Sequence, residues 1–253
     1  MPAAKPESNV KTALRVIDII EIFAREARPL ALSELARQLD APVSSCLALL
    51  RTLSGRGYIY ETAKRQGYYP TARLLTMAQR IARADPILDR VRPTLEELRD
   101  TSEETVVLGK LNPAGDAILY LDVFLSPHPI SYIAEPGSHR LLHSNSLGKA
   151  LLSTMSAQER SQLLGARPLS RFTERTLLTL EALETDLLVS KERGWFANLG
   201  ESMQDVGAIA WPVLLSGGYY AISIAGPLYR IEGQLEGLAQ KLRVACRFLE
   251  QQF

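Results

Sequence analysis

Cysteine and histidine are scarce in this chain, which has two cysteines and three histidines among its 253 residues. Cys46 and Cys246 lie far apart at apolar positions of helical patterns, so we expect reduced packing residues and neither a disulfide nor a zinc cluster. His128, His139 and His143 lack the spacing with which a helix presents metal ligands. The sequence therefore predicts no metal site and no cofactor.

Long apolar runs are also lacking, since none approaches the roughly 20 residues that a membrane-spanning helix needs. The N-terminus has no apolar signal-peptide core. Low-complexity tracts are absent, and 46% of the residues are hydrophobic, which is enough for a chain of this length to bury a large core, most simply as two domains. These features predict a cytoplasmic, globular protein without a membrane partner.

An excess of charge of one sign is missing from the whole chain, whose formal net charge is +1. The two parts of the chain nevertheless differ, because residues 1–85 sum to +5 and residues 86–253 sum to −4. A basic N-terminal part suits DNA, since cations that neutralise phosphates release condensed counterions. Chance scatter of charge is the alternative explanation.

Two short helical patterns joined by a tight turn lie in this basic part. The turn is Asp40-Ala41-Pro42, and we expect Ser33 to cap the first helix. The apolar positions of the two patterns repeat at helical spacing: Leu32, Leu35, Ala36 and Leu39, then Cys46, Leu49, Leu50 and Leu53. This arrangement predicts a helix-turn-helix whose second helix enters the major groove of DNA.

Flanking segments complete a predicted winged helix-turn-helix. A preceding support helix would bury the face that carries Val10, Ala13, Leu14, Ile17, Ile20 and Phe23 or Ala24. Two extended runs, 58–60 and 68–70, would pair as a wing. Its basic turn either contacts DNA or is an ordinary exposed loop. The residues predicted to contact DNA are Ser33, Val43, Ser44, Ser45, Leu47, Ala48, Arg51, Lys64 and Arg65.

The rest of the chain alternates helical and extended patterns. Helices are predicted near 71–84, 87–99, 146–155, 179–193 and 231–250. Extended segments are predicted near 105–108, 117–121, 130–133, 195–199, 206–213 and 219–225. This order indicates a mixed sheet flanked by helices, an architecture that can enclose a small-molecule pocket. The predicted boundaries are 1–70 for the winged domain, 71–85 for a linker helix and 86–253 for the second domain.

Several motifs in fixed order resemble the IclR family of bacterial transcriptional regulators over nearly the whole chain. They are Leu32-Ser-Glu-Leu-Ala36, Pro42-Val-Ser-Ser45, Leu142-His-Ser-Asn-Ser-Leu-Gly-Lys-Ala-Leu151, Arg171-Phe-Thr-Glu-Arg-Thr176, Ala208-Ile-Ala-Trp-Pro-Val213 and Ile222-Ser-Ile-Ala-Gly-Pro227. The resemblance implies an α+β protein in which a GAF-like C-terminal domain binds an effector. It also implies a dimer or a dimer of dimers on a palindromic operator, controlled by a small organic acid from a catabolic pathway.

The resemblance also implies an effector site at the turn into the helix near Ser146. We expect the free amides of Ser146 and Leu147 to bind a carboxylate and Ser223 to supply a hydroxyl. Tyr132 and Trp211 either leave room for an aromatic effector or are core aromatics. The residues predicted to bind the effector are Tyr132, Asn145, Ser146, Leu147, Asn198, Ala208, Ser223 and Ala225.

The chain departs from the family pattern at four positions. A Lys is usual at Val43 and an Arg at Ala48, so the DNA-facing helix has fewer cations. A carboxylate is common at Asn198 and a thiol at Ala208. Contacts from this helix would then come from the hydroxyls of Ser44 and Ser45, the amides of its N-terminus and apolar contact by Leu47. Base specificity would depend more on apolar contact, the wing and DNA shape.

Two other function classes fit parts of the sequence. Ser146-Leu-Gly-Lys149 matches the S-x-x-K motif of serine acyl hydrolases, although the companion motifs and a G-x-S-x-G turn are absent. A winged-helix adaptor that contacts proteins would explain the missing cations. We predict no catalytic residue, and we interpret Glu201 and Asp205 as solvated loop residues. His143 either orients that loop or is a structural histidine, and the sequence leaves repressor and activator both open.

Overall fold

The computed structural model describes residues 10–62, 67–165 and 168–253. The chain forms two compact units, with the boundary between Ala84 and Asp85. The proposed wing-tip residues Lys64 and Arg65 lie outside the described residues. Within the described ranges, no helix has both the length and the apolar character that crossing a membrane requires.

The first unit is a winged helix-turn-helix, as the sequence predicts. Its elements are α1 (Lys11–Glu26), α2 (Leu32–Gln38), α3 (Val43–Gly55), β1 (Ile59–Glu61), β2 (Tyr68–Pro70) and α4 (Arg73–Arg83). β1 and β2 pair antiparallel, and Leu30 forms a further bridge with Tyr68. The tight turn between α2 and α3 places Asp40 in the left-handed region, at φ +46°.

The start of α2 differs from the prediction that Ser33 caps it. Ser33 lies inside the helix, because the N-cap position is Ala31. Glu34, three residues later, accepts a hydrogen bond from the Ala31 amide at 3.0 Å. A carboxylate at this position satisfies a free amide and interacts favourably with the helix dipole. Ser33 is exposed instead.

The buried face of α1 also differs from the prediction. Phe23 of the predicted face enters the core of the first unit, together with Ile19 and Ile22, which are outside that face. Leu14 and Ile17 of the predicted face are exposed, Ile17 by 54%. α1 carries apolar residues on two sides, so helical periodicity alone does not identify which side packs against α2 and α3.

The second unit contains a six-stranded sheet flanked by helices, as predicted, but the sheet is antiparallel throughout rather than mixed. Its strands are β3 (Thr105–Leu111), β4 (Ala117–Phe124), β5 (His139–Leu141), β6 (Phe196–Leu199), β7 (Val206–Leu215) and β8 (Gly218–Pro227). Its helices are α5 (Pro86–Ser102), α6 (Ser146–Leu152), α7 (Ala157–Leu164), α8 (Leu180–Arg193), α9 (Leu228–Glu232) and α10 (Leu235–Gln252). The strand order is β5-β4-β3-β8-β7-β6.

Alternation along the central strands gives the sheet two different faces. Ile209, Ile222 and Ile224 pack in one cluster with α5 and α10. Ala210 and Ala221 pack in a second cluster with α6 and α8. Cys46 and Cys246 are buried free thiols, one in each unit, as predicted.

The extended segment predicted at 130–133 is not a strand, and β5 forms the edge of the sheet beside β4 instead. Pro127, Pro129 and Pro136 lie in or beside this segment, and proline cannot donate a hydrogen bond to a sheet. Single hydrogen bonds to other elements, rather than the paired hydrogen bonds of a strand, hold this segment. Thr105 donates to the Tyr132 carbonyl at 2.7 Å, and Arg230 donates to the Ile130 carbonyl at 2.9 Å. The short helices α7 and α9 were also not predicted.

Candidate functional site

The predicted DNA-reading face of the first unit is open to solvent. Cys46, Leu50 and Leu53 bury the inner side of α3. On the outer side, Val43, Ser44, Ala48 and Arg51 are exposed, and Ser45 and Leu47 are half-buried. The outer side of α3 therefore presents small and apolar groups, with one cation, Arg51, in the C-terminal half of the helix.

The second unit contains a partly enclosed cavity of about 190 Å³ beside the first turn of α6. Small residues on the helix-facing side of the sheet, Ala208, Ser223 and Ala225, leave this space unfilled. The wall consists of Tyr120, Tyr132, Arg140, Leu141, Ser144, Asn145, Ser146, Phe172, Asn198, Ser202, Met203, Val206, Ala208, Ser223 and Ala225. Seven of the eight residues predicted to bind the effector are therefore brought together at one cavity.

Leu147 is the eighth predicted residue, and it does not line the cavity. Its side chain is buried in the core beneath α6, and its amide donates to the Asn145 side-chain oxygen at 2.9 Å. The prediction that this amide is free for a carboxylate is therefore wrong, because Asn145 caps the helix. Trp211 also lies off the cavity wall and packs against Phe196, with ring centroids 5.7 Å apart.

A chain of hydrogen bonds fixes one side of the cavity. The Asn145 side-chain amide donates to the Tyr120 hydroxyl at 2.9 Å, and the Tyr120 and Tyr132 hydroxyls lie 3.4 Å apart. Burial raises the pKa of Tyr120 well above its usual range. Tyr120 is therefore a neutral hydroxyl group. Its oxygen accepts the hydrogen bond from Asn145, which leaves its proton free to point towards Tyr132.

Asn198 organises the opposite side through its loop. Its side-chain oxygen accepts from the Glu201 amide at 2.8 Å, and its side-chain amide donates to the Ser202 hydroxyl at 2.7 Å. Since the Ser202 oxygen accepts this bond, its own hydroxyl proton is available to another acceptor. Asn198 therefore positions Ser202 on the cavity wall.

Two loops at the mouth are tied to each other. Thr173 donates to the Gly200 carbonyl at 2.6 Å, and Thr176 donates to the Glu201 carbonyl at 2.7 Å. His143 stacks on Phe172 and contacts the Ser170 carbonyl at 2.9 Å. Burial lowers the pKa of His143 and so favours its neutral form. Its two contacts make it a structural histidine for the loop that carries Phe172.

A buried ion cluster lies under the same loops and corrects the interpretation of Glu201 as a solvated residue. The Lys149 side chain is fully buried, and its Nζ lies 2.6 Å from Glu201 Oε1 and 3.0 Å from Asp186 Oδ2. Burial raises the pKa of Glu201, against the opposing effect of Lys149. Lys149 is thus held between two carboxylates, which is not the environment of a general base beside Ser146.

The sequence prediction missed several wall residues, namely Tyr120, Arg140, Leu141, Ser144, Phe172, Ser202, Met203 and Val206. Tyr120 follows from strand alternation once β4 is known. Phe172 and Met203 belong to loops, for which periodicity carries no signal. Arg140 lies on the short strand β5, which the sequence pattern did not reveal.

Comparison with known families matches both units. Residues 12–63 match the family model "IclR helix-turn-helix domain", and residues 79–250 match "Bacterial transcriptional regulator IclR C-terminal". Among curated proteins, the chain is similar to the HTH-type transcriptional regulator BhcR of Paracoccus denitrificans, with 29% identity over 249 residues that cover 97% of this chain and 88% of the relative. It is also similar to the transcriptional repressor IclR of Escherichia coli, with 26% identity covering 90% and 84% of the two chains.

Solved structures share the fold over almost the whole chain. An IclR transcriptional regulator from Alicyclobacillus acidocaldarius superposes with a TM-score of 0.81 at 18% identity and covers 96% of this chain and 98% of its own. An IclR homologue from Microbacterium hydrocarbonoxydans, crystallised in complex with 4-hydroxybenzoate, has a TM-score of 0.77 at 23% identity and covers 95% and 98%. At these identities the likeness concerns the fold alone.

Proposed function

Because the chain belongs to the IclR family of transcriptional regulators, we propose that it controls a catabolic operon in response to a small aromatic or other organic carboxylic acid. The first unit is the DNA-binding helix-turn-helix domain and the second is the effector domain. The relatives named above are regulators and not enzymes. The serine hydrolase alternative has no support from the geometry around Lys149.

The observation that carries the effector proposal is the cavity beside α6. Its volume of about 190 Å³ exceeds the roughly 150 Å³ of an apolar cavity that accommodates benzene. Hydroxyls of Tyr132, Ser202 and Ser223 on the wall provide a few polar contacts within a largely apolar surface, as is typical of small-molecule sites. The complex of the Microbacterium hydrocarbonoxydans homologue with 4-hydroxybenzoate supports an aromatic acid as the first ligand to test.

For DNA binding, we propose that the exposed side of α3 enters the major groove of a palindromic operator. The hydroxyls of Ser44 and Ser45 can contact phosphates or base edges, and Leu47 can contact thymine methyl groups. Arg51 would contact the backbone. Ser33, Val43 and Ala48 would lie at the same surface, and Lys64 and Arg65 would contact DNA from the wing.

We also propose that the protein is a homodimer or a dimer of dimers in which α4 links the DNA-binding and effector domains. The first unit leaves large apolar side chains exposed on α1 and α4, including Ile17, Leu75 and Ile81, the last by 66%. Monomeric proteins rarely leave such surfaces uncovered. A two-fold symmetric dimer matches a palindromic operator.

Operator binding tests the regulator proposal. We expect submicromolar, sequence-dependent binding of the full chain to labelled DNA from the intergenic region beside its gene, measured by fluorescence anisotropy. Effector control requires that 4-hydroxybenzoate, or another acid that binds the cavity, shift this affinity in one direction. Weak binding that is abolished by salt, with equal affinity for scrambled DNA, would instead favour the protein-interaction adaptor.

The wing makes a separate prediction. If its basic tip contacts phosphates, Lys64→Ala and Arg65→Ala are each expected to reduce the slope of log affinity against log salt concentration by about 1. Arg247→Ala, which removes an exposed cation from α10, is the control and should leave the slope unchanged. A slope equal to that of the unmodified protein in both wing variants would exclude the contact.

A further inference from the structure

The effector cavity has one feature that the predicted site residues do not include. In the described parts of the chain, Arg140 is the one charged side chain on the cavity wall. No carboxylate among the described residues lies within 4.0 Å of its guanidinium nitrogens, although Lys and Arg side chains form eleven ion pairs with carboxylates in the same ranges. The cavity therefore contains a cation without an internal counter-charge.

The position of this cation is well defined by its neighbours. Arg140 pairs with Ile118 across β5 and β4, and its guanidinium carbon lies 5.4 Å from the centroid of the Tyr120 ring. Nη1 donates to the His139 carbonyl at 2.9 Å. Since Asn145 holds the Tyr120 hydroxyl, the guanidinium rests over a fixed ring, and its remaining donors can form a two-point contact with a carboxylate.

The rest of the wall limits the charge of the ligand. Tyr132, Ser144 and Ser202 contribute neutral polar groups, and Ala208 and Ala225 contribute apolar surface. One carboxylate of a ligand would neutralise Arg140, whereas a second carboxylate would be desolvated without a cation to compensate it.

We propose that Arg140 is the specificity-determining residue of the effector site, where it anchors a single carboxylate and selects aromatic monocarboxylates over neutral analogues and dicarboxylates. This inference rests on the proposed effector function of the cavity. It adds the limit to one carboxylate per ligand and the residue that recognises this carboxylate.

Isothermal titration calorimetry on the full chain tests this role. The probes are 4-hydroxybenzoate, its neutral analogue 4-hydroxybenzamide and the dicarboxylate terephthalate. We expect the unmodified protein to prefer 4-hydroxybenzoate to each of the other two by at least roughly 10-fold, because hydrogen bonds to charged groups are stronger than neutral ones.

Variants then assign the preference to one side chain. Arg140→Met should weaken binding of 4-hydroxybenzoate by roughly 10- to 100-fold and leave 4-hydroxybenzamide within about 2-fold. The affinity of Arg140→Lys for 4-hydroxybenzoate should fall between those of the unmodified protein and Arg140→Met, because an ammonium keeps the charge and loses the two-point geometry. Arg247→Met, on the helix that packs against the other face of the sheet, is the matched control and should bind as the unmodified protein does.

Three results would overturn the inference. Equal affinity of the unmodified protein for the acid and the amide would do so without any variant. So would an Arg140→Met protein that binds the acid normally, and in that case the cavity would remain an effector site with another anchor. If none of the probes binds, both Arg140 recognition and the aromatic acid proposal fail, while operator binding is judged independently by anisotropy.

Discussion

Replacement of Lys149 by methionine is expected to lower the free energy of unfolding of the second unit by about 3–5 kcal/mol, the usual effect of removing one partner from a buried ion pair. Methionine fills similar space, so the loss is mainly electrostatic. Glu201 would keep a buried charge without its cation, and its Oε2 already lacks a hydrogen-bond partner. Asp186 contributes less, because 29% of its side chain is exposed and water can screen it.

Urea unfolding, monitored by tryptophan fluorescence, measures the stability of the second unit. Both tryptophans of the chain, Trp195 and Trp211, lie in the second unit, so the signal does not report the winged domain. Lys191→Met, at an exposed position in the last turn of α8, is the matched control and should change stability by a few tenths of a kcal/mol, about 0.5 at most.

The double variant Lys149→Met/Glu201→Gln separates charge from packing. It should be more stable than Lys149→Met alone, because the isolated buried carboxylate is gone. The deficit of Lys149→Met should also shrink as the pH falls. Burial raises the folded-state pKa of Glu201 and Lys149 opposes this effect, so removal of Lys149 leaves the Glu201 pKa raised further above its unfolded value. Protonation of Glu201 then favours the folded variant at low pH, and this contribution is lost as the pH rises through the folded-state pKa. Equal stability of the Lys149 and Lys191 variants would contradict the cluster's role.

The second large effect is expected at Gly148 in α6. A Cβ atom at this position would lie 2.2 Å from the Leu142 carbonyl oxygen and 2.6 Å from the Leu142 Cα. Both contacts are with backbone, so a side-chain rotation cannot relieve them and the helix must move. We expect Gly148→Ala to destabilise the second unit by about 3 kcal/mol and to weaken effector binding, because Asn145 and Ser146 precede the displaced turn.

Gly237→Ala is the matched control for this substitution. Gly237 lies in α10, where an added Cβ meets nothing within 4 Å, so alanine should be neutral or stabilising by up to about 1 kcal/mol. The tryptophan-monitored urea experiment and calorimetry with 4-hydroxybenzoate measure both variants. A Gly148→Ala protein that matches Gly237→Ala in stability and binding would show that the close approach of α6 to Leu142 is unimportant.

The element order was predictable where local signals were strong. In α5, Leu88, Val91, Leu95 and Leu98 repeat at helical spacing and are buried as expected. Asn112 to Asp116 form the expected turn between β3 and β4. Where the signal was ambiguous, prediction failed: the residues around Tyr132 have the composition of a strand, but the prolines nearby leave them outside the sheet.

The candidate site was predictable in part for a related reason. Ser223 and Ala225 share one face of β8 by simple alternation, and Asn145 stands before a helix where a capping residue is expected. The family resemblance supplied the predicted wall residues, and these local patterns are consistent with where seven of them lie. The same patterns gave no signal for Arg140, because β5 is a three-residue edge strand.

By itself, the sequence determined the helix-turn-helix, most of the strands and the family, because helical spacing, strand alternation and short motifs act over a few neighbouring positions. Only the tertiary structure decided that Leu147 packs in the core and that Lys149 pairs with Glu201, 52 residues away. Burial and partner choice depend on which distant segments the fold brings together, and a desolvated charge needs a partner that local sequence does not specify.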